Sequence, residues 1–254
     1  MYLIPRHADI IDLAKARGRV SVDELAEHFD VTPQTIRKDL NDICDRRLLT
    51  RIHGGAVYQA GTVNTEYEQR RTIAAEEKRA IGRAAADLIP DSASLFMNIG
   101  TTVEAVSEAL ISHSKLMVIT NNLNVANRLC RHEQMEVVVT GGVVRGTDAG
   151  IVGEAAVDFI QQFKVDFAVI GASAIDADGY LLDFDFREVK VTKAIISNAR
   201  HVILVSDAIK FDRSAPVRIA HLSQINTFVT DHCSEEAIKQ ICKDHDVSLI
   251  EASS

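Results

Sequence analysis

No stretch of this 254-residue chain approaches the roughly 18 uninterrupted apolar residues that a membrane helix needs, which excludes a transmembrane helix. The opening segment, MYLIPRHADI, carries Arg6 and Asp9 and lacks a long apolar core, so it does not read as a secretory leader. Cysteine is scarce: the four residues Cys44, Cys130, Cys233 and Cys242 stand far apart and form no CxxC pair. That spacing excludes a disulfide framework and makes a reducing cytosol the expected compartment. His232, Cys233, Cys242 and His245 are zinc-capable types without close ligand pairs, so neither a metal site nor a cofactor is expected. Internal repeats and low-complexity tracts are missing too. A surplus of positive charge is also lacking: the formal net charge is −8, which argues against a nucleic-acid surface spread over the whole chain.

What is present is unevenly distributed. The hydrophobic fraction, 46%, suits a globular protein. Residues 1–58 hold nine Lys/Arg and nine Asp/Glu, so the whole negative surplus lies in 59–254. Within 31–53, five basic residues (Arg37, Lys38, Arg46, Arg47, Arg51) face three acidic ones. A small, locally basic unit thus precedes an acidic body.

The first 58 residues read as three short helices and a hairpin. Ile4, His7, Ile10, Ile11 and Ala14 follow helical spacing up to Gly18. Ser21 with Glu24 forms a capping box for a second helix, whose apolar face is Val22, Leu25, Ala26 and Phe29. After the Asp30-Val31 turn, Thr32 caps a third helix with Pro33 at its first position. Ile36, Leu40 and Ile43 must face inward. Residues 48–52, the turn His53-Gly54-Gly55 and Ala56-Val57-Tyr58 predict a β-wing. Residues 59–75 are polar and weakly patterned, and read as a linker.

From Glu76 onward strands and helices alternate. Helices are predicted at 76–88, 103–110, 123–130, 154–163, 187–199 and 234–244. Strands are predicted at 94–99, 117–120, 136–140, 167–172, 201–206, 227–230 and 247–251. Strands that are apolar throughout and alternate with helices imply an α/β domain, a mostly parallel sheet covered on both faces.

Two sets of residues carry chemistry. With the third helix turned so that Ile36, Leu40 and Ile43 are buried, Gln34, Thr35, Arg37, Lys38 and Asn41 face out. These side chains can read base edges or hold phosphates in a major groove. The helix entries at Ser21, Thr32 and Pro33 favour phosphate, and Arg51 and His53 of the wing could reach the flanking backbone or minor groove. A three-helix interaction module with a solvated charged face is the alternative. In the body, Gly100-Thr101-Thr102 joins a strand to a helix, an arrangement that cradles anions but also serves as an ordinary strand exit. Thr120-Asn121 follows the next strand, and Gly141-Gly142 with Arg145 the one after. Ligands of open parallel sheets sit at such strand ends. Arg145 could grip a phosphate as a bidentate fork, with Lys193 or Lys210 as a point charge.

The runs VSVDELAEHFDVTPQTIRKDL (20–40) and RIHGGAV (51–57) resemble the winged helix–turn–helix of DeoR-family bacterial transcription repressors. Similarity continues through VNTEYEQR (63–70), NIGTTVEAV (98–106), TNNLNVAN (120–127), GIVGEAAVDFIQQF (150–163), GASAIDADGYLLDFD (171–185) and KAIISNARHVILVSDAIKF (193–211). One departure is Arg47, where family members often carry glycine. The resemblance implies a winged head (1–58), a linker (59–75) and an effector domain (76–254) related to ribose-5-phosphate isomerase. It implies a small phosphorylated effector, glycerol 3-phosphate or a sugar phosphate. Gly100, Thr101 and Thr102 would then hold the phosphate, with Thr120 and Asn121 beside it and Gly141, Gly142 and Arg145 closing the other side. Asp183, Asp185, Glu188 and Lys210 would supply hydroxyl or charge contacts. Asp183 and Asp185 equally fit a strand end, and Lys210 a solvated loop. The expected function is a repressor, a homodimer or homotetramer on double-stranded operator DNA, released by its effector. An isomerase using Asp185, Glu188 and Lys193 as acid–base groups is the rival reading.

Overall fold

The computed structural model describes residues 5–17, 19–46, 48–52, 54–57 and 67–252. The chain divides into two compact units, Met1–Val63 and Asn64–Ser254. The predicted helix stop at Gly18 and the wing residues His53 and Tyr58 lie outside the described residues.

In the first unit, α1 (Pro5–Arg17), α2 (Val22–His28) and α3 (Pro33–Asp45) pack around a core of Ile10, Leu25, Ile36, Leu40 and Ile43. Ile36, Leu40 and Ile43 have no exposure at all. Burying each contributes about 1.5–3 kcal/mol, which fixes the rotation of α3 and hence its outer face. The Ser21 hydroxyl accepts from the Glu24 amide at 3.2 Å while the Glu24 carboxylate accepts from the Ser21 amide at 3.2 Å. The Thr32 hydroxyl accepts from the Thr35 amide.

The wing differs from the predicted hairpin. β2 (Thr50–Ile52) and β3 (Gly55–Val57) do pair antiparallel, but a third strand, β1 (Arg19–Ser21), lies along the other side of β3. Three residues are too few to leave a period-two signal in sequence. Gly55 is what allows the approach, because a Cβ there would overlap the Val20 carbonyl.

The second unit begins inside the expected linker. Residues 67–75 carry α4 (Tyr67–Thr72) and the start of α5 (Ala75–Ala86). Seven parallel strands follow: β4 (Ser94–Met97), β5 (Leu116–Thr120), β6 (Met135–Val139), β9 (Val165–Ile170), β12 (Ala199–Val205), β14 (Thr227–Thr230) and β15 (Ser248–Glu251). Their order is β15-β14-β12-β9-β4-β5-β6. On one face, α5, α6 (Thr101–Ala109) and α7 (Leu123–Leu129) bury Ile81, Val103, Val106 and Val125. On the other, α8 (Glu154–Ile160), α9 (Phe186–Ser197) and α10 (Glu236–Asp244) bury Ile160, Val191, Ile195 and Ile238. Two small antiparallel pieces were not anticipated: a pair, β7 (Val143–Val144) with β8 (Ile151–Val152), and a sheet of β10 (Ala174–Ile175), β11 (Tyr180–Asp183) and β13 (Val217–His221). Strand order reverses between β4 and β9, so their carboxyl ends flank the crevice where sheets of this kind bind ligands.

One contact in the first unit was invisible in the sequence. Asp39, on the inner side of α3, is 5% exposed and accepts from Arg6 Nε at 2.7 Å and pairs with His7 Nε2 at 3.2 Å. Burial by itself would push the Asp39 carboxyl up, but the Arg6 and His7 contacts outweigh it and hold it below the usual range. Replacing Asp39 by Ala leaves Arg6 and the His7 ring without their partner on α3, and should lower the opening free energy of α1 and α3 amides by about 1–3 kcal/mol in hydrogen exchange. The wild-type contribution is complete above the ordinary carboxylate pKa and is lost as pH falls through the depressed one. Equal exchange in wild type and Asp39→Ala would show the pair to be idle.

Candidate functional site

On the outer face of α3, Gln34, Arg37, Lys38 and Asn41 are exposed, and Arg37 Nη1 lies 3.5 Å from the Gln34 side-chain oxygen. Thr35 is half-buried and its hydroxyl is 2.9 Å from that of Thr32, so both serve the helix entry. Pro33 is exposed at the first position of α3, while Ser21 is half-buried within its capping box. Arg51 is exposed and its guanidinium donates to the Gly55 carbonyl, which ties it across the wing. The expected contact at His53 lies outside the described residues.

In the second unit, Gly100 occupies φ +138 at the entry to α6, a conformation other residues rarely adopt. Thr101 is half-buried and Thr102 is 6% exposed in the first turn, where backbone amides lack helical acceptors. The Thr120 hydroxyl donates to the Met97 carbonyl at 2.7 Å and accepts from the Asn122 amide at 3.0 Å, so it braces β5 against β4. Asn121 donates to the Ile151 carbonyl at 3.1 Å. Asn98, at the end of β4, donates to Thr192 at 2.8 Å. The side-chain oxygens of Asn98 and Asn121 are buried and have no hydrogen-bond partner among the described residues. Two acceptors held bare at neighbouring strand ends suit hydroxyl donors. Gly142, at φ +139, passes so close to β8 that a Cβ would come within 2.9 Å of the Val152 carbonyl, whereas Gly141 borders open space.

Arg145 is not a free fork. Its Nε and Nη2 donate to Asp148 at 2.8 and 2.6 Å, Nη1 to Asp185 at 3.1 Å and Nη2 to Glu188 at 2.5 Å. Three carboxylates thus surround one guanidinium, an arrangement that repels a further anion. Asp183, 6% exposed, stands close enough for its charge to act on Glu188. Burial first, and the Asp183 charge second, push Glu188 up to about 8, and burial raises Asp183 as well. The pair therefore keeps a proton near neutrality. Asp185 moves the other way, to about 2, chiefly through its hydrogen bond to Arg187.

Unbalanced positive charge gathers elsewhere. Lys78 of α5 is 5% exposed, donates to the carbonyls of Arg70 and Ile73 at 2.6 and 2.8 Å, and sits 3.9 Å from Asp207. Asp207, 2% exposed, follows β12. Burial lowers Lys210 to about 8, and the charges of Arg213, Lys78 and Arg70 push in the same direction against Asp207. Lys78 and Arg213 are lowered too, again first by burial. Three cations about Asp207, with the charge of Arg70 acting on all three, form a place where an anion would relieve repulsion.

Residues 6–62 match the family described as the DeoR-like helix-turn-helix domain, and residues 73–232 match the DeoR C terminal sensor domain. The chain belongs to the DeoR family. Among its curated relatives, the glycerol-3-phosphate regulon repressor of Escherichia coli K12 is 47% identical, over 96% of this chain and 97% of that one. The repressor of the same name from Haemophilus influenzae is 45% identical, covering 93% and 92%. The transcriptional repressor CsqR of E. coli is 41% identical, covering 97% and 94%. Among solved structures, ribose 5 phosphate isomerase A from Neisseria gonorrhoeae is similar at a TM-score of 0.39 and 15% identity, covering 57% of this chain and 55% of that one.

Within this DeoR-family sensor, the acid–base set of the rival reading does not converge. Asp185 and Glu188 meet at Arg145, while Lys193 is exposed to solvent. The zinc-capable residues are otherwise engaged: Cys233 and Cys242 are buried in the core, His232 pairs with Glu251 at 3.2 Å, and His245 packs on His221. Lys78, Asp148, Asp207 and Arg213 were missed. For Lys78 a signal existed, since it stands three and seven residues before the buried Ile81 and Ala85, on the inward face of its helix.

The raised Glu188 pKa sets a sign. A carboxyl whose pKa rises on folding stabilises fully below its ordinary value of 4.5 and loses that contribution as pH climbs through about 8. Thermal stability of the sensor should decline over that window, and Glu188→Gln should flatten the decline. An identical pH profile in the variant would mean that Glu188 is ionised throughout.

Proposed function

We propose that this chain is a transcriptional repressor of glycerol and glycerol-3-phosphate metabolism genes, released from its operator by glycerol 3-phosphate. What carries the reading is the cluster of buried Lys78 with half-buried Lys210 and Arg213 about buried Asp207, at the strand ends where Gly100 and Thr101 open α6. The glycerol-3-phosphate regulon repressors that are 47% and 45% identical over nearly their whole length support the choice of ligand. The dianionic phosphate sits against the cations and the first-turn amides of α6. The glycerol hydroxyls donate to the bare oxygens of Asn98 and Asn121. Arg145, committed to its three carboxylates, fixes the walls of the site and leaves the phosphate to the lysines.

The DNA side follows from α3. Two copies of the head place their α3 helices in successive major grooves of a near-palindromic operator. Gln34, Arg37 and Asn41 read base edges and Lys38 holds phosphate. Glycerol 3-phosphate must prefer the DNA-free arrangement, because a ligand with equal affinity for both shifts nothing. By linkage, operator DNA weakens effector binding by the same factor, on the order of 1–3 kcal/mol.

Operator binding followed by fluorescence anisotropy, with glycerol 3-phosphate and other sugar phosphates as competitors, tests the whole reading. Release by glycerol 3-phosphate at the lowest concentration is expected. Release only by another sugar phosphate would reassign the effector, and chemical conversion of any of them would indicate an enzyme. Arg37→Ala should lose about 1–3 kcal/mol of operator affinity if it pairs with a guanine, and unaltered affinity would remove it from the interface. Lys210 adds a pH signature. Its pKa of about 8 in the free protein rises when a phosphate binds, so binding takes up protons near pH 8 and affinity falls as pH climbs beyond it. Calorimetry in buffers of different ionisation enthalpy should detect the uptake in wild type and not in Lys210→Met.

A further inference from the structure

The helix α4 lies between the two matched regions, outside both the helix-turn-helix span of 6–62 and the sensor span of 73–232. It nonetheless makes polar contacts with the sensor interior at three points. The Tyr67 hydroxyl donates to buried Glu104 at 2.7 Å and accepts from Asn124 at 2.9 Å. Glu104 in turn accepts from Asn122, the residue that caps α7 at the end of β5. Lys78 donates to the carbonyls of Arg70 and Ile73, which closes the exit of α4. Arg70 Nη2 reaches Asp148 at 3.4 Å, a long contact, and the guanidinium packs 5.9 Å from the centre of the Tyr67 ring.

Arg70 is the odd member of this set. Its side chain is only 14% exposed, and its Nε is buried without a hydrogen-bond partner among the described residues. A buried guanidinium with an unmet donor is costly by itself, and more so beside other cations. Its charge acts on Lys78, Lys210 and Arg213 alike, which places it at the same cluster. Asp148, its one side-chain acceptor among the described residues, already holds two hydrogen bonds from Arg145.

We infer that α4 is part of the effector site, with Arg70 donating to the bound phosphate and so coupling ligand occupancy to the segment that leads to the DNA-binding head. The inference rests on the phosphate reading given above and extends it. A phosphate between Lys78, Lys210 and Arg70 supplies the missing acceptor for Arg70. It also competes for the ammonium that caps α4. Occupancy thereby changes the contacts of the first described element beyond the wing.

Hydrogen exchange across 67–75 and calorimetric binding of glycerol 3-phosphate, both on the full chain, test this. In wild type the ligand should change exchange in α4. Arg70→Met should weaken binding about ten-fold or more, the scale of one lost hydrogen bond to a charged group, and Arg70→Lys should restore part of it. Arg71→Met is the control: Arg71 is exposed on the same helix and lines a surface cleft with Arg128 and Arg131, so its affinity should match wild type. Thermal denaturation of each variant separates weak binding from misfolding, and a misfolded Arg70→Met leaves the decision to Arg70→Lys and the wild-type exchange. Wild-type affinity in both Arg70 variants with silent exchange in α4 would overturn the role of α4 while the phosphate site stands. Failure of wild-type protein to bind either glycerol 3-phosphate or inorganic phosphate would overturn both.

Discussion

The sensor is organised around a charge imbalance that its own residues do not cancel. Asp207 lies buried beyond β12, Lys78, Lys210 and Arg213 bear upon it, and the charge of Arg70 acts on all three of those cations. Burial already disfavours charge on the lysines, and each neighbouring cation adds to the penalty. A fold tolerates such a cluster when a ligand repays the cost, since anything that binds only the native state stabilises it. Functional sites are where this kind of strain concentrates.

Beside that cluster stands its opposite. Around Arg145 the imbalance is negative: Asp148, Asp185 and Glu188 share one guanidinium, with Asp183 close behind. The two halves explain each other. Arg145 satisfies its carboxylates and is thereby unsuited to hold phosphate, whereas on the lysine side Lys78, Lys210 and Arg213 share Asp207. A ligand that is anionic at one end and hydroxylated at the other matches this polarity. An inorganic anion matches only half of it.

The head works by a separate economy of contacts. Three aliphatic side chains without exposure determine the rotation of α3, and the outward row from Gln34 to Asn41 follows from the helical repeat. Asp39 interrupts the apolar face with a carboxylate, but Arg6 and His7 of α1 satisfy it. That bridge sets α1 against α3 at one register, which an apolar contact alone would not specify. Gly55 plays a comparable part in the wing, since only a residue without a side chain lets β1 close against β3.

Much of this was legible without coordinates. The capping box at Ser21, the Thr32 cap, the inward face of α3, the alternation of strand and helix and the glycine at the entry to α6 are all encoded within a few residues of one another. The antiparallel pieces were not, because strands of two to five residues leave little periodic trace. Nor was the partner of Arg145: its residue type suited a phosphate, and only the approach of Asp185 and Glu188 from forty residues away revealed its commitment. Local sequence thus dictated which segments become helix or strand and which faces they bury, since propensity and hydrophobic period act over single turns. Tertiary packing alone decided which charges meet, because it brings α4, α5 and the exit of β12 to one strand end across more than a hundred residues, where spacing along the chain carries no information.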